Sequence, residues 1–161
     1  MNTSEFLNIT SLIVPDRTAI IFDGKRISYA SLTERVNRLA NALSELGVAS
    51  GDRVSTMQVN CNEHIEAYFA ASKLDAVYVP LNFRSTPEEI QYMLSDCSPK
   101  VIFAGARYTT MIDQVTEDLD SLSAKVVIDG TSSGWLSYET ILDSSVSDER
   151  YPVGDEDELT M

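Results

Sequence analysis

The chain has 161 residues, 43% hydrophobic and 23% charged, which is ordinary globular usage and enough for one domain with its own core. Its 25 acidic residues outnumber 12 basic ones, for a formal net charge of -13. A field of that sign repels phosphate backbones and anionic lipid, which excludes nucleic acid and membrane surfaces as expected partners.

No stretch approaches the ~20 apolar residues of a membrane span. Met1–Phe6 lacks the basic n-region and apolar run of a secretory signal. One histidine, His64, and two cysteines, Cys61 and Cys97, lie in helix-like segments, so no zinc spacing can be assembled and no metal site is expected. Reduced thiols and a cytoplasmic location follow as expectations.

Thr18–Phe22 reads as a strand, Asp23-Gly24 as a turn, and Lys25–Ser28 as the returning arm of a hairpin. Ser28 is placed to cap a helix in which Tyr29, Leu32, Val36, Leu39, Leu43 and Leu46 recur at helical spacing. Gly47 stops it, and a strand follows from Arg53 to Val59. Asn60 and Asn62 are both candidate caps for a helix reaching Leu74, apolar nearly all round and therefore expected to be buried. Ala76–Pro80 reads as a short buried strand, with Pro80 at its end because proline has no N–H to give a ladder.

Thr86-Pro87-Glu88-Glu89 carries a complete helix start: a capping threonine, proline at the first helical position, and a glutamate to close the box. That helix runs to Pro99. Val101–Ala104 is a strand, about Tyr108–Leu122 a helix, Val126–Ile128 a strand, and Tyr138–Leu142 a short helix. Strand–helix alternation of this kind predicts an α/β fold, a mainly parallel, doubly wound sheet with helices on both faces, preceded by the hairpin. Residues 1–142 form the predicted lobe. Residues 143–161, where acidic residues meet only Arg150, form an exposed acidic connector.

The best site candidate by position is Asn82-Phe83-Arg84, the polar, cationic tip where the chain leaves the strand. Parallel sheets place ligands at the C-terminal ends of their strands. Asn82 also suits a turn residue, Phe83 a packing residue, and Arg84 an exposed partner for Glu88. Asn60 lies in a similar position but also suits a helix cap. His64 has no nucleophile placed beside it by the sequence and reads as structural, and Cys61 and Cys97 read as buried thiols. The glycines form neither a G-x-G-x-x-G nor a Walker-type loop, so no catalytic residue is assigned.

Three blocks carry a resemblance: Ile27–Leu32 with Arg35, Asn37, Arg38, Leu39 and Ala40; Gly47-Val48 and Gly51–Val54 with Asn60 and Glu63; and Lys73–Arg84 with Ile90, Tyr92, Leu94, Asp96 and Lys100. In this order they resemble the N-terminal part of acyl-CoA synthetases in the adenylate-forming superfamily, over about residues 10 to 161. Asp75 departs from the glycine usual in that family, at a tight helix-to-strand turn that Asp tolerates. Ser31 departs from its usual glutamate.

The resemblance implies a parent enzyme that joins a carboxylic acid to coenzyme A (CoA) with ATP and Mg2+, releasing AMP and pyrophosphate. It also implies that the phosphate loop follows the acidic stretch ending here. The rest of the same polypeptide is then this chain's partner, and the chain alone is expected to be inactive and free of bound cofactor. Arg84 would contact a CoA phosphate, and a lobe separated from its partners is expected to self-associate. A flavodoxin-like binding module and a peptide-synthetase adenylation domain are the alternative readings.

Overall fold

The computed structural model describes residues 3–148. The hairpin pairs β1 (Thr18–Phe22) with β2 (Lys25–Ser28) antiparallel, around Asp23 at φ 47° and Gly24 at φ 72°. Two successive positive φ values are what a tight hairpin turn needs to match the twist of its strands. Ser28 Oγ then accepts from Ser31 N at 3.2 Å and starts α2 (Tyr29–Glu45), whose Leu32, Val36, Leu39 and Leu43 are buried.

The strands β3 (Arg53–Met57), β4 (Val77–Pro80), β5 (Val101–Ala104), β6 (Ala124–Val127) and β7 (Leu136–Ser137) form one parallel sheet in the order β4-β3-β5-β6-β7. Four more helices connect or follow them: α3 (Asn62–Lys73), α4 (Pro87–Cys97), α5 (Thr109–Val115) and α6 (Tyr138–Ser144). Alternate residues of β5 enter different cores. Val101 and Phe103 pack with α2, α3 and α6, while Ile102 and Ala104 pack with Ile90, Leu94 and Ile112 of α4 and α5. Burial on both faces is why β5 reads as an unbroken apolar run. The expected α/β architecture with helices on both faces is the one observed.

The strand expected at Ala76–Pro80 is buried only over Ala76–Tyr78, with Val79 half-buried and Pro80 exposed, because it stands at the sheet's edge, paired among the described residues with β3 alone. Val77 N and Leu81 N both bond to carbonyls on the β3 side, at 2.8 Å each. The intervening even positions therefore face the open edge, and Pro80 removes a donor that the ladder never uses.

Several boundaries differ from expectation. The sequence carried no signal read as α1 (Thr3–Ile13): Phe6, Ile9, Leu12 and Ile13 are exposed, and only Ser4 and Leu7 are buried. Polar contacts dock this helix instead, Ser4 N to Ser72 Oγ at 3.1 Å and Lys73 Nζ to Asn8 Oδ1 at 3.0 Å.

The helix expected to reach Leu122 stops at Val115. There Thr116 turns its hydroxyl back onto the Ile112 carbonyl at 2.7 Å, and the acidic Glu117, Asp118 and Asp120 oppose a helix C-terminus. β3 ends at Met57, two residues early, and β7 was not foreseen. The helix expected to be apolar all round, α3, buries Glu66, Ser72 and Lys73 while Ile65 is exposed. Its cap is Cys61, with no side-chain bond, rather than Asn60 or Asn62. Asp75 sits at φ 57°, the left-handed conformation its place in the turn demands. The Thr86–Glu89 capping box is complete, with bonds of 3.3 Å and 2.8 Å.

Candidate functional site at the C-terminal edge of the sheet

The sheet is wound outward from β3 in both directions, so the switch point lies beside the C-terminal end of β3, where open α/β sheets bind ligands. The register Thr56↔Pro80 and Met57↔Ala104 brings the ends of β4, β3 and β5 level. From β4 comes the tip singled out in the sequence. Asn82 Oδ1 accepts from Arg84 N at 3.0 Å, and Ser85 N bonds to the Asn82 carbonyl at 3.0 Å. Asn82 is thus the turn residue that organises the strand exit.

Arg84 is exposed, its guanidinium 5.2 Å from the ring centre of the half-buried Phe83. Among the described residues it makes no ion pair, so the alternative pairing with Glu88 is not formed. A cation stacked on an aromatic keeps its N–H donors available.

A second arginine stands at the end of β5, and the sequence reading missed it. Arg107 is exposed, with its guanidinium 5.7 Å from the Tyr108 ring centre. The loop carrying it is held from beneath: Asp129 Oδ1 accepts from Ala106 N at 2.6 Å, and Thr109 Oγ1 donates to the Ala106 carbonyl at 3.0 Å. With one strand between them, the ends of β4 and β5 are about 10 Å apart. Arg107 was hidden because nothing in its own neighbourhood shows which strand lies next to which.

Between these tips the crevice is filled. The Gln58 side chain packs on Gly105 so closely that a Cβ there would lie 2.4 Å from Gln58 Nε2. His64 Nε2 meets the Gln58 carbonyl at 3.1 Å, and since a carbonyl only accepts, that nitrogen carries the proton. His64 Nδ1 then accepts from Tyr78 Oη at 2.6 Å. Burial pushes the Tyr78 phenol up to about 12, so it remains a donor. His64 is a structural tie between α3, β3 and β4. Asn60 is exposed and takes no part in it.

Cys61 and Cys97 are half-buried free thiols rather than fully buried ones. Burial first, then Glu63, pushes Cys61 up to about 12, and burial also raises Cys97.

A separate concentration of charge lies between α2, α3 and α6. Glu66, fully buried, accepts from Arg35 Nε at 2.9 Å, Asn62 Nδ2 at 2.8 Å and Tyr138 Oη at 2.8 Å. The rest of the Arg35 fork is spent on Glu139, at 3.0 Å and 2.7 Å. Burial alone would lower the Arg35 pKa, but its bonds to Glu139 and Glu66 outweigh that and raise it. Burial and the Glu66 carboxylate hold the Tyr138 phenol well above its ordinary range. Each nitrogen of the Arg35 guanidinium has a carboxylate partner, so this cluster ties the three helices together.

The strand-end arginines, by contrast, are exposed and rest on aromatic rings, which leaves donors of the kind that pair with anionic oxygens. The positive-φ glycines among the described residues stand singly in separate turns. No group of three His, Cys, Asp or Glu among the described residues could hold a metal ion, and no described helix is long and apolar enough to cross a membrane.

An indoleacetate–CoA ligase from Aromatoleum aromaticum is 36% identical over 145 residues, which is 90% of this chain and 28% of that protein. A long-chain-fatty-acid–CoA ligase from Thermus thermophilus is 34% identical over 128 residues, 79% of this chain and 24% of that protein. The N-terminal domain of FACL13 from Mycobacterium tuberculosis superposes with a TM-score of 0.84 at 29% identity, over 100% of this chain and 41% of that one. This chain therefore spans only about a quarter of the length of those two ligases. The strand order is shared with flavodoxin-like sheets, so topology alone left the alternatives standing. The AMP-binding enzyme family matches residues 13–160, from the end of α1 through the whole sheet, and on that match this chain belongs to the AMP-binding enzyme family.

Proposed function

We propose that this chain supplies the N-terminal lobe of an acid–thiol ligase. The whole enzyme would form an acyl-adenylate from a carboxylic acid and ATP, with Mg2+, and pass the acyl group to CoA. The observation that carries this reading is the family match over residues 13–160, joined by relatives named as CoA ligases. Residues 1–142 are the lobe, and residues 143–161 are the acidic connector to the rest of the polypeptide.

In this reading the lobe contributes binding and scaffold. Arg84 gives its unspent guanidinium donors to a CoA phosphate, with Arg107 as a second cation on the same edge. ATP and Mg2+ are held by residues elsewhere in that enzyme. The enzyme works in the cytoplasm. The apolar outer face of α1 favours self-association of the isolated chain, which light scattering across concentrations would reveal as a mass above 17.8 kDa.

Two measurements test the assignment. Titration calorimetry of the whole enzyme with CoA should show Arg84→Ala binding about 10- to 100-fold more weakly, the loss of one charge-assisted hydrogen bond. Equal affinity would remove Arg84 from the site. Incubation of the 161-residue chain with ATP, Mg2+ and a panel of carboxylic acids should release no pyrophosphate, and release would overturn the division of labour.

A further inference from the structure

The chain leaving α6 is held by its backbone rather than by its side chains. Arg38 Nη1 donates to the Ser145 carbonyl at 2.7 Å. Asn41 Nδ2 donates to the carbonyls of Val146 at 2.8 Å and Asp148 at 2.7 Å. Asn41 is buried, 6% exposed, and this two-pronged contact accounts for both of its amide hydrogens. Arg35, Arg38 and Asn41 recur every third residue along α2, each step rising about 4.5 Å. They meet Glu139, Ser145 and then Val146 with Asp148, so helix and strap run in the same sense. Val146 is 38% exposed and Asp148 is exposed, so apolar packing does not explain why the segment follows this path.

We propose that Arg38 and Asn41 form a carbonyl-reading clamp that sets the direction in which the chain leaves this lobe, whatever side chains stand at 146–148. A carbonyl presents the same acceptor on any residue, so the clamp specifies a path and leaves the sequence along it free. Arg35 is the base of the device. Wedged between the buried Glu66 and Glu139, it fixes α6, so the strap begins from a set point. Nothing in this depends on the ligase reading, because the clamp acts within the chain. In a longer enzyme it would give the next segment a fixed starting direction.

The test is backbone 15N relaxation on the 161-residue chain. In the wild type, Val146 and Ser147 should show order parameters near the ~0.85 of rigid backbone. Asn41→Asp keeps the volume but turns both donors into acceptors facing carbonyls, and should drop those values below about 0.6. Asn41→Ala and Arg38→Lys, milder changes that keep the fold available, should lower them too. Val146→Thr and Asp148→Asn should leave them unchanged. A wild-type strap already below that value overturns the clamp. So does an unchanged strap in Asn41→Ala and Arg38→Lys, or one freed by Val146→Thr alone.

Discussion

Arg35 and Arg84 serve one small sheet in opposite ways. Arg35 lies between helices with its fork divided between a fully buried carboxylate and an exposed one, at 2.9 Å and 2.7 Å. Arg84 lies at a strand end with its backbone pinned by Asn82 and its guanidinium resting on a ring. The first arrangement commits every guanidinium nitrogen to a carboxylate, which is what the buried charge of Glu66 requires. The second restricts where the cation stands while leaving its donors unspent, which is what recognition of an external anion needs. The difference separates a charge committed inside the fold from one left at its surface.

The largest effect is expected at Glu66. Glu66→Ala leaves Arg35, Asn62 and Tyr138 facing a vacated buried site, and urea unfolding should show a loss of about 3–5 kcal/mol, the usual result of removing one partner from a buried pair. A loss under 1 kcal/mol would show the network to be dispensable. Tyr138→Phe keeps the ring against Phe103, 5.6 Å between centroids, and removes only the hydroxyl. It should cost about 1.5–3 kcal/mol, the range for a hydrogen bond to a charged group.

A smaller effect belongs to the exposed half of the Arg35 fork. The bond to Arg35 holds Glu139 below the usual carboxylate range. A carboxyl depressed on folding contributes stability that is complete above its unfolded value, near ~4.3, and is lost as pH falls through the folded value. Unfolding curves taken at falling pH should therefore lose stability more steeply in the wild type than in Glu139→Gln, and parallel curves would rule the contribution out. Cys61, pushed up to about 12, should react with iodoacetamide far more slowly at pH 8 than an unstructured thiol, and equal rates would contradict its placement. The smallest stability effect is expected at Arg84. Arg84→Ala should change unfolding by less than about 0.5 kcal/mol, as exposed substitutions do, and a larger loss would move it to the structural class.

Much of the fold was legible because local chemistry and global position agree along most of the chain. Ser28, the Thr86–Glu89 box, the Asp23-Gly24 turn and the strained turn at Asp75 each act within four residues, so their signals survive in a one-dimensional reading. The misses share a cause as well. α1 is held by contacts to Ser72 and Lys73, more than sixty residues away, and its outward face is apolar, which inverts the usual pattern. α3 was read as apolar when it carries the buried Glu66, whose partners Arg35 and Tyr138 come from distant segments. The candidate site was half legible. Arg84 was singled out because it follows an obvious strand end, whereas Arg107 joined it as a candidate only when β5 was seen to be paired to β3 with its end level with that of β4.

The sequence by itself determined the alternation of strands and helices, the caps at Ser28 and Thr86, the turn residues and the acidic net charge, because each rests on composition or near-neighbour chemistry. Tertiary structure decided which charges are spent. Whether an arginine is a strut or an open hand depends on carboxylates and carbonyls brought to it from a hundred residues away. For Arg35 and Arg38 these came from α6 and its strap, and for Arg84 none came at all.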